Sequence, residues 1–160
     1  MNALEIKNLS KEYPHFRLDR LSLTLPGGCI MGLVGENGAG KSTTIKLLLN
    51  MIHRDGGTIT ILGRDNRNDL SLLKEEIGVV LDDVGLPECL KAGQIGKVMK
   101  GIFKTWDDAE YEKYLRRLSI PMDRKFKEFS RGMKMKLGIA VALSHHPKLL
   151  LLDEATNGLD

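Results

Sequence analysis

Apolar and polar residues alternate in the manner of strands along the first 30 residues of the chain. "LEIKNL" from Leu4 and "RLSLTL" from Arg20 each turn every second side chain to one face, the period of a half-buried strand. A Pro-Gly-Gly turn closes the second segment, so short antiparallel strands are expected here. The texture then changes. "CIMGLV", residues 29 to 34, is a continuous apolar run, which predicts a strand buried on both faces of a mostly parallel sheet, with Cys29 as a small core residue. Past Lys41, Ile45, Leu48, Leu49 and Ile52 recur at helical spacing, and the helix is expected to end between Asn50 and Ile52. "GGTITILG" (56–63) and "IGVVL" (77–81) read as further strands, the second of them buried.

Between Val84 and Glu128 the pattern becomes helical. Ile95, Val98, Met99, Ile102, Phe103 and Trp106 form one apolar stripe; Tyr111, Leu115 and Leu118 form another behind Asp107, which is spaced to cap a helix with Glu110. Two or three helices and no strand are expected in this segment. Another helix should begin near Ser130, with Met133, Leu137, Ala140, Val141 and Ser144 on one side. His145 and His146 fall at its C-terminal end, where the helix dipole favours cations. Pro147 resets the chain before "KLLLLDE", a short buried strand that ends in Asp153 and Glu154. The plan is an α/β core interrupted by an α-helical insertion.

Composition narrows the function classes. A chain of 160 residues with 42% hydrophobic content can bury a sizeable core, which excludes disorder. The net charge of +3 is too small to argue for nucleic acid. Cys29 and Cys89 lack any zinc spacing, which points to a reducing intracellular compartment. No apolar run approaches the roughly 18 residues that span a bilayer, and the amino terminus lacks an export leader. A soluble chain is expected.

The chemistry begins at "GENGAGKS", residues 35 to 42, which fits G-x-x-x-x-G-K-[ST] and stands between an expected strand and an expected helix. A polyphosphate is held by many amide N–H groups at once. The backbone must therefore curl around it without Cβ atoms in the way, which Gly35, Gly38 and Gly40 permit. The helix that follows adds the positive end of its dipole. Lys41 supplies a point charge for the outer phosphates, and Ser42 a hydroxyl for Mg²⁺. Read merely as a glycine-rich turn, the stretch would leave Lys41 without a counter-ion.

Two further features bear charge. Asp153 and Glu154 lie just past a strand end, where parallel sheets present functional residues; the first is placed to hold Mg²⁺ and the second to orient or deprotonate a water. "RKFKEFSRGMKMK", 124 to 136, crowds six cations against Glu128 at a helix start, which the dipole disfavours by about 0.3–1 kcal/mol each. A bound anion, received by the Ser130 hydroxyl and by amides near Gly132, would resolve that conflict; a solvated basic face is the plainer reading. Met133 and Met135 read as packing residues.

In order along the chain, "GENGAGKST", "FSRGM" and "LLLLDEATNGLD" resemble the ATP-binding cassette family, specifically the ATPase subunits of ABC transporters. The resemblance implies an α/β fold: a P-loop NTPase sheet with N-terminal antiparallel strands and an α-helical subdomain insertion, the C-terminal part of the domain missing. It implies ATP and Mg²⁺ as cofactors, with Asn37, Gly38, Ala39, Gly40, Lys41, Ser42 and Thr43 around the phosphates and Tyr13 stacked on adenine. Ser42 and Asp153 become metal-site residues, and Glu154 the catalytic carboxylate. Ser130 and Gly132 belong to a signature motif that meets the nucleotide of a second cassette in trans, in a homo- or heterodimer. "NGLD", 157 to 160, looks like the loop that touches that partner. On this scheme residues 1–83 are the first part of the ATP-binding core, 84–144 a helical subdomain that docks on a membrane-spanning permease, and 145–160 the acidic strand and its loop.

The chain departs from the family pattern in three places. Phe129, Ser130, Arg131, Gly132 and Met133 stand where Leu-Ser-Gly-Gly-Gln is usual, so the glutamine contact is lost. Asp82 occupies the position after "IGVVL" where the family resemblance implies a glutamine, and from which a carboxylate can still reach metal or water. The sequence ends before the switch histidine of the family, so the chain is expected to be the front of a longer cassette, weakly active or inactive alone. The leading expectation is ATP hydrolysis that drives transmembrane transport from the cytoplasmic face of the membrane through nucleotide-dependent cassette dimerisation, with no nucleic acid bound directly; the "SRGMK" segment hints at export. A soluble cassette ATPase acting on ribosomes or nucleic acid is the alternative, and a small-molecule kinase a weaker third.

Overall fold

A computed structural model of the chain describes residues 1–36, 38, 40–68 and 70–154. Two compact units are present, one of Met1–Leu73 and a second that begins at Lys74.

The first unit is built on the alternating segments. Strands β1 (Asn2–Tyr13) and β2 (Phe16–Pro26) form an antiparallel hairpin, and β3 (Gly56–Ile61) and β4 (Arg64–Asp65) extend it to a sheet of order β2-β1-β3-β4. Leu4 and Ile6 of β1, and Ile59 and Ile61 of β3, are buried at the two-residue period of a strand; a register shift after Ile6 brings Leu9 to the buried set as well, with Leu18 of β2. Helix α1 (Lys41–Leu48) buries Thr44, Leu47 and Leu48. Its C-terminal carbonyls at Leu47 and Leu48 accept hydrogen bonds from the buried Asn66 amide at 2.8 and 3.0 Å, which anchors that end of the helix. A short helix, α2 (Leu70–Glu76), begins at the end of this unit and finishes in the next; it adds to the elements expected from the sequence.

In the second unit, β5 (Ile77–Val80) and β6 (Leu149–Leu152) pair in parallel. Helices α3 (Ala92–Ile102), α4 (Asp108–Arg117) and α5 (Arg131–Leu143), with a 3₁₀ turn at Phe126–Glu128, make up the rest. Ile95, Tyr111, Leu115, Phe126, Phe129 and Leu137 form its main core. The Tyr111 hydroxyl donates to the Ala92 carbonyl oxygen at 2.7 Å, and burial pushes its pKa up. Both expected caps form: Asp107 accepts from the Glu110 N–H at 3.0 Å, and Ser130 accepts from the Met133 N–H at 3.2 Å.

Three expectations need correction. Residues 29–34 are not a buried strand: Ile30 and Val34 are fully exposed, and Cys29 is exposed rather than a core residue. An apolar run becomes a buried strand only where neighbouring strands complete its ladder, and among the described residues none pairs with it. Strand β6 is likewise covered only in part, since Leu150 and Leu152 are exposed. His145 does not act as a cation at the end of α5. It is buried, its ring stacks on Phe103 at 4.0 Å, and burial lowers its pKa, which favours the neutral form. Its Nδ1 lies 3.0 Å from the Glu75 carbonyl oxygen; a carbonyl only accepts, so Nδ1 carries the proton.

Candidate functional site

In the first unit, the phosphate-type loop leads directly into α1. Gly38 and Gly40 hold φ of 85° and 98°, left-handed conformations in which a residue with a Cβ is strained. At Gly40 a Cβ would also lie 2.8 Å from the Phe16 ring. The Lys41 ammonium folds back over the loop and donates to the Gly35 carbonyl oxygen. Helix α1 begins with no side-chain cap and no acidic residue in its first turn, so its leading N–H groups are not claimed by a capping side chain. Thr44 is buried and donates from its hydroxyl back to the Gly40 carbonyl oxygen at 2.7 Å, which fixes the first turn. Ser42 is exposed and Thr43 half-buried. Asn37 and Ala39 lie outside the described residues.

This donor set fits a polyphosphate. Two left-handed glycines curl the backbone, a lysine reaches over the curl, and an uncapped helix start supplies amides and dipole. Around Gly38, a Cβ would meet no atom within 4 Å, so the loop leaves open space on that side. Tyr13 is exposed at the end of β1 and faces Phe16 across the hairpin, while the Lys11 ammonium lies 5.4 Å from its ring centre. Phe16 was missed in the sequence, although "YPHF" carries two aromatics at a turn. It ties the hairpin that carries Tyr13 to the loop at Gly40.

In the second unit, Ser130 is exposed at the start of α5. Its oxygen accepts from Met133, which leaves the hydroxyl proton to be donated elsewhere. Gly132 is half-buried beside it. The cations of this segment find acids that the local sequence does not contain: Arg131 donates to Asp82 at 2.9 Å and Lys134 to Glu88 at 3.0 Å. Within the segment, Glu128 accepts from the Lys125 N–H at 2.9 Å. Asp153 lies just past β6 and donates its N–H to the Val80 carbonyl oxygen at 2.9 Å, which prolongs the parallel ladder by one residue. Glu154 is exposed with φ of 51°, so the chain turns sharply after the strand. Residues 157–160 lie outside the described residues.

A small hollow in the first unit has no residue of the loop in its lining. It measures about 20 Å³, room for one water, and is lined by Asn50, His53, Arg54 and Asn66 among others. The Arg54 Nε there is buried with no hydrogen-bond partner, whereas its terminal nitrogens reach Asn66 and Asp65. A bridging water suits that orphaned donor.

The family model for the ABC transporter matches residues 18–157, across both units. The chain belongs to the ABC transporter family. Over 99% of its length the cassette is 33% identical to the bacitracin transport ATP-binding protein BcrA of Enterococcus faecalis, of which it covers 52%. It is 37% identical to the lantibiotic transport ATP-binding protein SrtF of Streptococcus pyogenes, over 98% of this chain and 68% of that one. A solved ATP-binding subunit of an ABC transporter superposes with a TM-score of 0.87 at 28% identity, covering 98% of this chain and 68% of that one. The chain thus spans about half the length of the bacitracin relative and about two thirds of the other two. The fold is that of an ABC ATPase domain: α/β, with an antiparallel sheet beside the nucleotide-type loop and a helical insertion. Among the described residues no helix is long and apolar enough to cross a membrane. Nor do three or more His, Cys, Asp or Glu side chains gather there as a metal site.

Proposed function

We propose that this chain belongs to the ATP-binding subunit of a transporter that exports a compound of the bacitracin or lantibiotic kind, a subunit that binds and hydrolyses ATP with Mg²⁺. The carrying observation is the loop at Gly35–Ser42: left-handed Gly38 and Gly40, Lys41 folded over the curl, and a helix start without a side-chain cap. In this reading the loop amides and Lys41 grip the phosphates, with Asn37, Ala39 and Thr43 completing the set, and Tyr13 offers its exposed ring to adenine. Ser42 and Asp153 are the residues that would hold Mg²⁺, which would neutralise charge on the phosphates during transfer. Glu154 orients the attacking water and takes its proton. Bound ATP supplies the phosphoanhydride whose cleavage drives the cycle.

Ser130 and Gly132 serve a second cassette, of the same or another chain, by meeting the nucleotide held there. Residues 1–83 form the first part of the ATP-binding core, 84–144 the helical subdomain facing a membrane-spanning permease, and 145–160 the acidic strand and its loop. The working place is the inner face of the cell membrane, with no direct contact to nucleic acid.

The decisive experiment titrates nucleotide against the full-length protein and its Lys41→Ala variant. Loss of one charged hydrogen-bond donor at the phosphates costs about 1.5–3 kcal/mol, an affinity loss of roughly ten- to a hundredfold. Unchanged affinity would remove the loop from the site. Purification from membranes should also bring down a protein with several spanning helices; recovery of ribosomes instead would overturn transport.

A further inference from the structure

Two of the positions at which this chain departs from the family pattern, Asp82 and Arg131, are 49 residues apart in sequence and joined by a hydrogen-bonded ion pair of 2.9 Å. Each replaces an uncharged residue type, and the two new charges cancel. Asp82 follows the end of β5, and Arg131 is the first residue of α5, directly after the Ser130 cap. The segment between is held along α5: Val84 packs on the cluster of Val80, Met135 and Ala142, and Glu88 receives Lys134. The Asp82 carboxylate is therefore carried by a braced segment and not by a free loop.

The Arg131 side chain is 65% exposed and that of Asp82 50% exposed. Exposed ion pairs hold weakly and are readily exchanged. A guanidinium binds phosphate in the same forked manner as carboxylate, and a terminal phosphate brings more charge and three acceptor oxygens. Without such a group, Arg131 stays on Asp82.

We infer that Asp82 is the positioning residue of Arg131: it restrains the guanidinium at the start of α5 until the terminal phosphate of a nucleotide on a second cassette takes it over. The pair thereby sets how strongly cassette association prefers a triphosphate to a diphosphate. This rests on the proposed meeting of the α5 start with a partner's nucleotide. Asp82 competes for Arg131 in the open state, so a ligand lacking the terminal phosphate cannot displace it. Removing the competitor leaves an uncompensated cation, to which weaker anions also bind. Selectivity, rather than affinity alone, is what Asp82 governs.

The test measures self-association of the full-length protein by sedimentation, with Mg²⁺ and either ATP or ADP. The expected result for Asp82→Asn is a fall in the ATP-to-ADP preference of roughly tenfold, the scale of one coupling between sites. Asp82→Glu should restore it, because the pair can re-form. Arg131→Ala should weaken ATP-driven association, and adding Asp82→Asn to it should change nothing further. Should Asp82→Asn lower the preference just as much in the Arg131→Ala background, Asp82 acts through metal or water and the inference is overturned. An unchanged preference in the single variant overturns it as well. A Lys41→Ala protein that still associates normally on ATP would strike the nucleotide reading itself. Nucleotide binding that depends on Lys41, combined with indifference to Asp82, defeats the inference alone.

Discussion

Helices α1 and α5 both begin at segments suited to anions, but they are built in opposite ways. Helix α1 starts from a left-handed glycine, lacks a side-chain cap, and has one lysine folded back on its own loop. Helix α5 starts from Ser130, whose oxygen already satisfies one helix N–H, and its cations rest on Asp82 and Glu88 from elsewhere in the chain. The first start offers backbone donors that a ligand must complete. The second is complete in itself and offers exchangeable side chains. A site that must grip permanently suits the former, and one that must engage and release a partner suits the latter.

The largest effect on this contrast is expected at Gly40. Its φ of 98° costs an L-residue roughly 1–2 kcal/mol, and a new Cβ would also press on Phe16 at 2.8 Å. Gly40→Ala should lower the unfolding free energy by about 2 kcal/mol or more and weaken nucleotide binding with it. Combining it with Phe16→Leu separates the two costs: relief of the steric part should recover some stability, while the backbone part persists. Full tolerance of alanine, seen as an unshifted denaturant midpoint, would mean that the loop does not need its left-handed turn.

Sequence alone revealed what is local. The glycine loop, the Asp107 cap and the Ser130 cap each depend on residues within a few positions, where side-chain reach and backbone geometry leave little choice. The hairpin of β1 and β2 was equally readable, because alternation reports which face is covered. What failed was non-local. The run at 29–34 is apolar enough to demand burial, but demand does not supply the neighbouring strand. The crowd of cations at 124–136 looked unbalanced because Asp82 and Glu88 lie more than forty residues away. His145 was read from its place at a helix end, whereas its ring is governed by Phe103 and Glu75, which pack on it from distant segments.

A smaller effect is expected at Ser130. Ser130→Ala removes the acceptor for the Met133 N–H and should cost about 1 kcal/mol of stability. If α5 is self-sufficient at its start, nucleotide affinity at the Lys41 loop should stay within about twofold, since no cap energy is spent there. Titration of labelled nucleotide alongside chemical unfolding checks both. A cap loss that carried nucleotide affinity down in parallel would erase the contrast between the two helix starts.

The smallest effect concerns the other end of α5 and takes the form of a slope with pH. His145 has its pKa lowered below 6.5, first by burial, so the unfolded chain binds a proton that the folded chain resists. The stability held by the neutral ring is therefore fully present above pH 6.5 and declines as pH falls toward the folded pKa. Acidic groups add a separate decline at lower pH. The Asp107 carboxyl is held below 3.8, chiefly by the Glu110 N–H and next by His146, and the Glu75 carboxyl below 4.5, chiefly by the Lys104 N–H. His145→Asn, whose amide can still donate to the Glu75 carbonyl oxygen, should flatten the upper decline and leave the lower one in place. Unfolding midpoints between pH 5 and 7 decide it, on the scale of the 6.5 reference for histidine. An identical slope in the variant would assign the upper decline to another group and leave His145 a packing residue only.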